Sequence, residues 1–243
     1  ELYSGRALDF DGSNDYVNIP DNNSLSFGDG SNDSAFSVSA WVNMDDATDF
    51  PLVTKGTLWN TNTEYHIITT YDDKLRLMLL DNSISVCSEY ADTSSALTSY
   101  QGQWIHVCCT YNGVGGASAN AGITIYINGI SQSLTRAHNA GNGAYVAMEN
   151  LGADVHIGRN NTQYGNGKIS TVKMFSAELT QAQVQELYTK PETVLPTGVS
   201  ASNLKLDLPM QEGAGSYVYD GSSDKNTGEI TGATWETGES GAY

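Results

Sequence analysis

The stretch that decides the fold is Gly102-Gln103-Trp104-Ile105-His106-Val107-Cys108-Cys109-Thr110-Tyr111-Asn112-Gly113, which is followed by Ile123-Thr124-Ile125-Tyr126-Ile127-Asn128-Gly129. Both runs are dense in β-branched and aromatic residues, which pack well on a pleated surface. Each ends in Asn-Gly, a dipeptide that accepts the positive φ of a tight turn. Asn128-Gly129 stands between Ile-Thr-Ile-Tyr-Ile and Ile-Ser-Gln-Ser-Leu, so it reads as a hairpin. In the first strand Cys108 and Cys109 are neighbours and point to opposite faces of the sheet.

Working outward, the same signal recurs at 16–19, 36–43, 65–70, 74–80, 154–158 and 168–175, with Asn, Asp, Gly and Ser clusters between the runs. The class is all-β, a two-sheet antiparallel sandwich or jelly roll. One short helix is expected near 181–189. Thr180 and Gln183 form a capping box, Val184, Leu187 and Tyr188 make an apolar stripe, and Pro191 stops the helix. Residues 191–202 hold two prolines and a glycine and read as a linker. Strand-like sequence resumes at Leu204-Lys205-Leu206-Asp207-Leu208 and continues through a Gly/Ser/Asp-rich block from 203 to 243.

Length and charge narrow the function. The 243 residues allow one large or two small domains. Eleven Lys+Arg stand against 28 Asp+Glu, a formal net charge of −17. Without a basic patch the chain has no means of releasing counterions from a phosphate backbone, so nucleic acid is excluded as a partner and anionic membrane surfaces are disfavoured. No run of about 18 apolar residues is present, so membrane insertion by a helix is not expected. Of the three cysteines, at most one of the adjacent pair can bridge to Cys87. A Cys87–Cys108 disulfide is one outcome, three small buried hydrophobes the other.

Several segments together resemble a known family. Ala7-Leu8-Asp9-Phe10-Asp11-Gly12-Ser13-Asn14-Asp15-Tyr16-Val17 is similar to the opening strands of laminin-G-like, concanavalin-A-like jelly rolls of the lectin/glucanase superfamily. Phe36–Val42, the Gly102–Gly113 stretch, Ile125–Gly129, and Ile157-Gly158-Arg159 through Tyr188 resemble its later elements in order. The likeness covers residues 7–190. Residues 204–216, 218–220 and 228–235 resemble the block with which that family begins, yet here it comes last. The expected organisation is therefore one jelly-roll domain over 1–243: a main body at 1–190, the linker, and 203–243 supplying the family's first strands. Circular permutation and one phase of a repeating array both explain the order. The 12-residue linker reaches about 40 Å extended, enough for either its own sheet or a neighbour's.

The resemblance also frames the chemistry. The superfamily's glucanases carry E-x-D-x-x-E on one strand, with two carboxylates spaced for retaining hydrolysis. That triplet is absent here, and His66, His106, His138 and His156 are dispersed, so no enzyme is expected. His106 is read as a packed strand residue, and Trp41 and Trp104 as structural. Related jelly rolls hold a structural Ca2+ near the first turn, which implies Asp11 and Asp15 as ligands. Asx turns are the competing reading, and Ser170-Thr171 replaces an acidic pair usual in the family. Asp29, Asp33, Asp45, Asp46 and Asp49 read as solvated loop charges. For sugars, which stack on aromatics and bond to amides, the candidates are Trp59, Asn60, Asn62 and Tyr65 in one polar stretch and Arg159, Asn161 and Tyr164 in another.

Two functions follow. One is a non-catalytic module at an extracellular, cell or virion surface that binds glycans. The other is a structural subunit of a filament or surface layer, joined by strand donation between copies of itself.

Overall fold

The computed structural model describes residues 4–57, 62–83, 87–139 and 143–240. The strands, in chain order, are β1 (Ser4–Asp11), β2 (Tyr16–Ile19), β3 (Phe36–Met44), β4 (Pro51–Lys55), β5 (Tyr65–Thr69), β6 (Leu75–Asp81) and β7 (Cys87–Thr93). Then come β8 (Trp104–Tyr111), β9 (Ile123–Ile127), β10 (Ile130–Ser131), β11 (Leu134–Asn139), β12 (Val155–Ile157), β13 (Arg159–Asn160), β14 (Gln163–Tyr164) and β15 (Asn166–Phe175). A helix, α1 (Gln181–Thr189), precedes β16 (Leu204–Leu208), β17 (Tyr217–Val218), β18 (Gly228–Thr231) and β19 (Thr234–Ser240).

Two antiparallel sheets face each other, as expected for a concanavalin-A-like jelly roll. The first runs β10-β9-β8-β3-β15-β1-β19, with β16 also on β15. The second runs β11-β7-β6-β5-β4-β12-β2-β18-β17. The Gly102–Gly129 stretch lies where its pattern puts it: β8 is paired with β3 on one side and β9 on the other, with Asn128 (φ 50°) and Gly129 (φ 74°) turning the chain into β10. The strands of the last block find partners in this same chain. β16 pairs with β15, β18 with β2, and β19 with β1.

Alternation builds the core. Inward residues such as Leu8, Phe10, Val17, Val38, Leu77, Val107, Ile125 and Ile157 are buried between the sheets. Phe27 stacks on Phe36 at 4.5 Å between ring centroids, and Tyr65 lies 5.2 Å from Phe36. A second, smaller cluster lies beyond the first sheet, where Val184 and Leu187 of α1 cover Cys108, Tyr126, Phe175 and Leu204. The capping box is present, with the Thr180 N–H donating to Gln183 Oε1 at 2.9 Å.

The cysteines correct one expectation. All three thiols are free and buried. Cys87 belongs to the core between the sheets, whereas Cys108 faces α1 on the far side of the first sheet. A Cys87–Cys108 bridge would have to pass through a strand. Burial also raises the Cys87 thiol to about 11, which keeps it protonated and unreactive.

Candidate functional site

The outer face of the second sheet carries a band of polar and aromatic side chains, exposed at its β17–β18 end. Residues directly opposite one another in antiparallel strands share a face. The register therefore lays Tyr217, Glu229, Asn18, His156 and Thr54 in one row across β17, β18, β2, β12 and β4. At about 4.8 Å per strand, Tyr217 to His156 spans roughly 14 Å. Their chain neighbours Val218, Val17, Ile19 and Ile157 point the other way, into the core. In the next row Thr231 stands opposite Tyr16.

Two aromatic groups bound this row. At the β17 end Tyr217 and Tyr219, 46% and 61% exposed, lie 6.4 Å apart between centroids. The other end is a β13–β14 ribbon. Gly158 ends β12 at φ 81°, and a Cβ there would stand 2.6 Å from the Phe10 ring, so only glycine lets the chain turn at this point. The ribbon turns again at Asn161 (φ 56°), a residue type that tolerates the left-handed region. Thr54 Oγ1 donates to the Arg159 carbonyl at 2.9 Å and fastens the ribbon to the sheet. Arg159 then lies over the Tyr16 ring at 4.7 Å and beside Tyr164 at 5.9 Å, and Tyr16 meets His156 edge-on at 5.8 Å.

The floor is polar and ordered. Asn18 Nδ2 donates to Asp154 Oδ2 at 3.1 Å, and the Asp21 N–H donates to Asp154 Oδ1 at 2.9 Å. Beneath, the fully buried Lys55 donates to Asp21 Oδ1 at 2.6 Å and to the Ala153 carbonyl at 2.7 Å, with Glu64 at 3.5 Å. Burial holds Glu64 up at about 7 even though Lys55 opposes the shift. Burial, and then the charge of Arg159, push His156 down to about 4, so its imidazole is neutral at pH 7.

The structure divides the residues singled out from the sequence. Arg159, Asn161 and Tyr164 come together on the ribbon, with Asn161 exposed at its turn. Trp59 and Asn60 lie outside the described residues. Asn62 is half-buried on the loop after β4, with its carbonyl beside Gly56 rather than in the row. Tyr65 is a correction: it is 0% exposed, and its hydroxyl donates to the Leu25 carbonyl at 3.0 Å inside the core. A tyrosine on a strand reads alike from either face, and only the register shows which one it takes.

The acidic candidates also resolve. Asp11 Oδ1 accepts from the Ser13 N–H at 2.8 Å, an Asx turn, and Asp15 Oδ2 accepts from the Asp11 N–H at 3.0 Å. Asp15 is buried against Gly232, and desolvation raises its carboxyl. Each carboxylate therefore gives one oxygen to a backbone N–H. Among the described residues no group of three or more His, Cys, Asp or Glu is gathered in a way that holds a metal. Asp33 is not a solvated loop charge either. It accepts from Tyr111 at 2.7 Å, Tyr145 at 2.8 Å and the Met148 N–H at 2.8 Å.

No sequence motif marks this row. Tyr16, Asn18, Tyr217 and Tyr219 alternate with valines, and that alternation was the available signal. Which polar face lies open takes tertiary structure to see.

The chain belongs to the concanavalin A-like lectin/glucanases superfamily, whose laminin G-type pattern matches residues 11–185. No curated protein matches it. Among solved structures it is similar to a putative carbohydrate binding protein from Bacteroides ovatus, with a TM-score of 0.62 and 19% identity over 98% of this chain and 61% of that one. It therefore spans about three fifths of that protein. It is also similar to a heptameric SAP-like pentraxin from Limulus polyphemus, with a TM-score of 0.56 and 16% identity over 97% of this chain and 96% of the other. At these identities the likeness is one of fold. No helix among the described residues is long and apolar enough to cross a membrane.

Proposed function

We propose that this chain is a non-catalytic carbohydrate-recognition module of a secreted or surface protein, and that it binds glycans along the outer face of its second sheet. The observation that carries this reading is the polar and aromatic band on that face, with Tyr217, Glu229, Asn18 and His156 in one row and Tyr219, Tyr16 and Tyr164 beside it. Sugars present apolar ring faces and hydroxyl edges, and aromatics flanking fixed amides and carboxylates suit both. Asp154 is engaged by Asn18 and the Asp21 N–H, which suits a fixed hydrogen-bonding floor. A neighbour of the same fold described as carbohydrate-binding adds to the reading. Residues 1–243 act as one jelly roll, with the block at 203–243 completing both sheets. Recognition is favoured over strand donation because the strands a donor would supply have partners in their own chain.

A glycan array followed by calorimetry tests the proposal. At least one saccharide class binds, and the Tyr217→Ala/Tyr219→Ala double variant weakens it about tenfold or more, equivalent to ~1.4 kcal/mol. An array without a binder, at protein concentrations up to the millimolar range, overturns it.

A further inference from the structure

Aromatic stacking and neutral hydrogen bonds account for most of the row but not for Arg159. Cations are scarce in this chain, 11 in all, and several are committed to carboxylates, Lys74 to Asp72 at 2.6 Å, Arg76 to Asp92 at 2.6 Å, and Lys173 to Asp207, while Arg6 and Arg136 bond to backbone carbonyls. Arg159 makes a single side-chain hydrogen bond among the described residues, from Nε to the Asn161 carbonyl at 3.2 Å. Neither Nη group meets an acceptor there, and no carboxylate of the described residues lies within ion-pair distance. Yet the group is not loose. Its Cζ is held 4.7 Å from the centre of the Tyr16 ring and 5.9 Å from that of Tyr164, at the end of a row whose nearest histidine is neutral. A stacked guanidinium loses little freedom on binding and presents a two-donor edge that matches a planar carboxylate.

We infer that this site selects saccharides bearing a carboxylate, of the uronate or sialate kind, with the acid seated on Arg159 and the sugar rings running toward Tyr217. One carboxylate is the expected feature, not a polyanion, since Glu229 lies further along the same row and the chain as a whole carries −17. The inference rests on the carbohydrate reading above and adds the charge of the ligand to it.

Calorimetry with four probes separates the two: galacturonate, its methyl ester, 3′-sialyllactose and lactose. One of the two acids binds at least about tenfold more tightly than its neutral counterpart, a difference of ~1.4 kcal/mol, and the identity of that acid distinguishes uronate from sialate. Arg159→Gln removes the difference, so that acid and neutral counterpart bind alike. Arg159→Lys restores only part of it, because a point charge lacks the bidentate edge. Unchanged thermal melting of both variants shows that the ribbon is intact. Equal affinities for acid and neutral probes, or discrimination that survives Arg159→Gln, overturn this inference and leave the carbohydrate reading standing. If neither these probes nor an array shows any saccharide binding, both fall.

Discussion

Gly158 shows how much of the site depends on a single residue. It stands between β12 and the ribbon that carries Arg159, at φ 81°, with the Phe10 ring where a side chain would go. Gly158→Ala would impose both a left-handed alanine and an overpacked core, so a loss of about 2–4 kcal/mol is expected. Urea denaturation checks it, and a loss below ~1 kcal/mol would mean that Phe10 repacks freely. Asn160 illustrates the opposite case. Its sequence, Asn160-Asn161-Thr162, fits a glycosylation sequon, but the side chain is buried and its Nδ2 donates to Gln163 Oε1 at 3.2 Å. A three-residue pattern carries no information on burial.

Among the elements, β15 organises the first sheet. It pairs with β3 along one side, while on the other it pairs first with β1 and then with β16. The change of partner falls at Ser170-Thr171, where the register shifts and Thr171 takes φ 51°. This is the place where the sequence departs from the family's acidic pair. The strand bulges here, which re-aims its second half. Across the β15–β16 seam Lys173 bonds to Asp207, both of them buried, and Asp220 Oδ1 accepts from the Asp207 N–H at 2.8 Å. Lys173→Met leaves a buried carboxylate without its cation and is expected to cost about 3–5 kcal/mol. The Lys173→Met/Asp207→Leu double variant recovers most of that loss. Equal destabilisation in single and double variants would show that the pair is not coupled.

At the scale of the whole molecule, stability depends on pH through buried groups in both sheets. Burial lowers both His66 and His106 to about 3. The unfolded chain takes up these protons near the ordinary 6.5, so their contribution is complete above that value and is lost as pH falls toward 3. Each accounts for ~1.4 kcal/mol per pH unit inside that window. Glu64 works against them. With its folded value near 7, the native state holds a proton that the unfolded chain releases above about 4.5, and acidification through that range stabilises the fold. His156, lowered to about 4, adds to the histidine side, so the balance is a decline in melting temperature from pH 6.5 to 4.5 that steepens below 4.5. Differential scanning calorimetry across pH 3.5–7.5 checks this. A decline no gentler above pH 4.5 than below would rule out a raised Glu64, and flat melting down to pH 4 would rule out the buried neutral histidines.

The all-β class, the β8–β9–β10 hairpin core, α1 with its capping box and the superfamily were all legible in the sequence, because each rests on local pattern: period two, Asn-Gly turns, a Thr-x-x-Gln start. The ribbon residues Arg159, Asn161 and Tyr164 were legible as a polar, aromatic cluster for the same reason. Tertiary structure alone decided that Tyr65 and Asp33 turn inward, that Cys87 and Cys108 sit on different sides of a sheet, and that Asn18 and His156 share a row with Tyr217. Those facts depend on which of two alternating faces is covered, and on pairings between residues some 200 positions apart such as Tyr217, Glu229 and Asn18. Local sequence encodes the alternation, while burial of one face against the opposite sheet selects its direction.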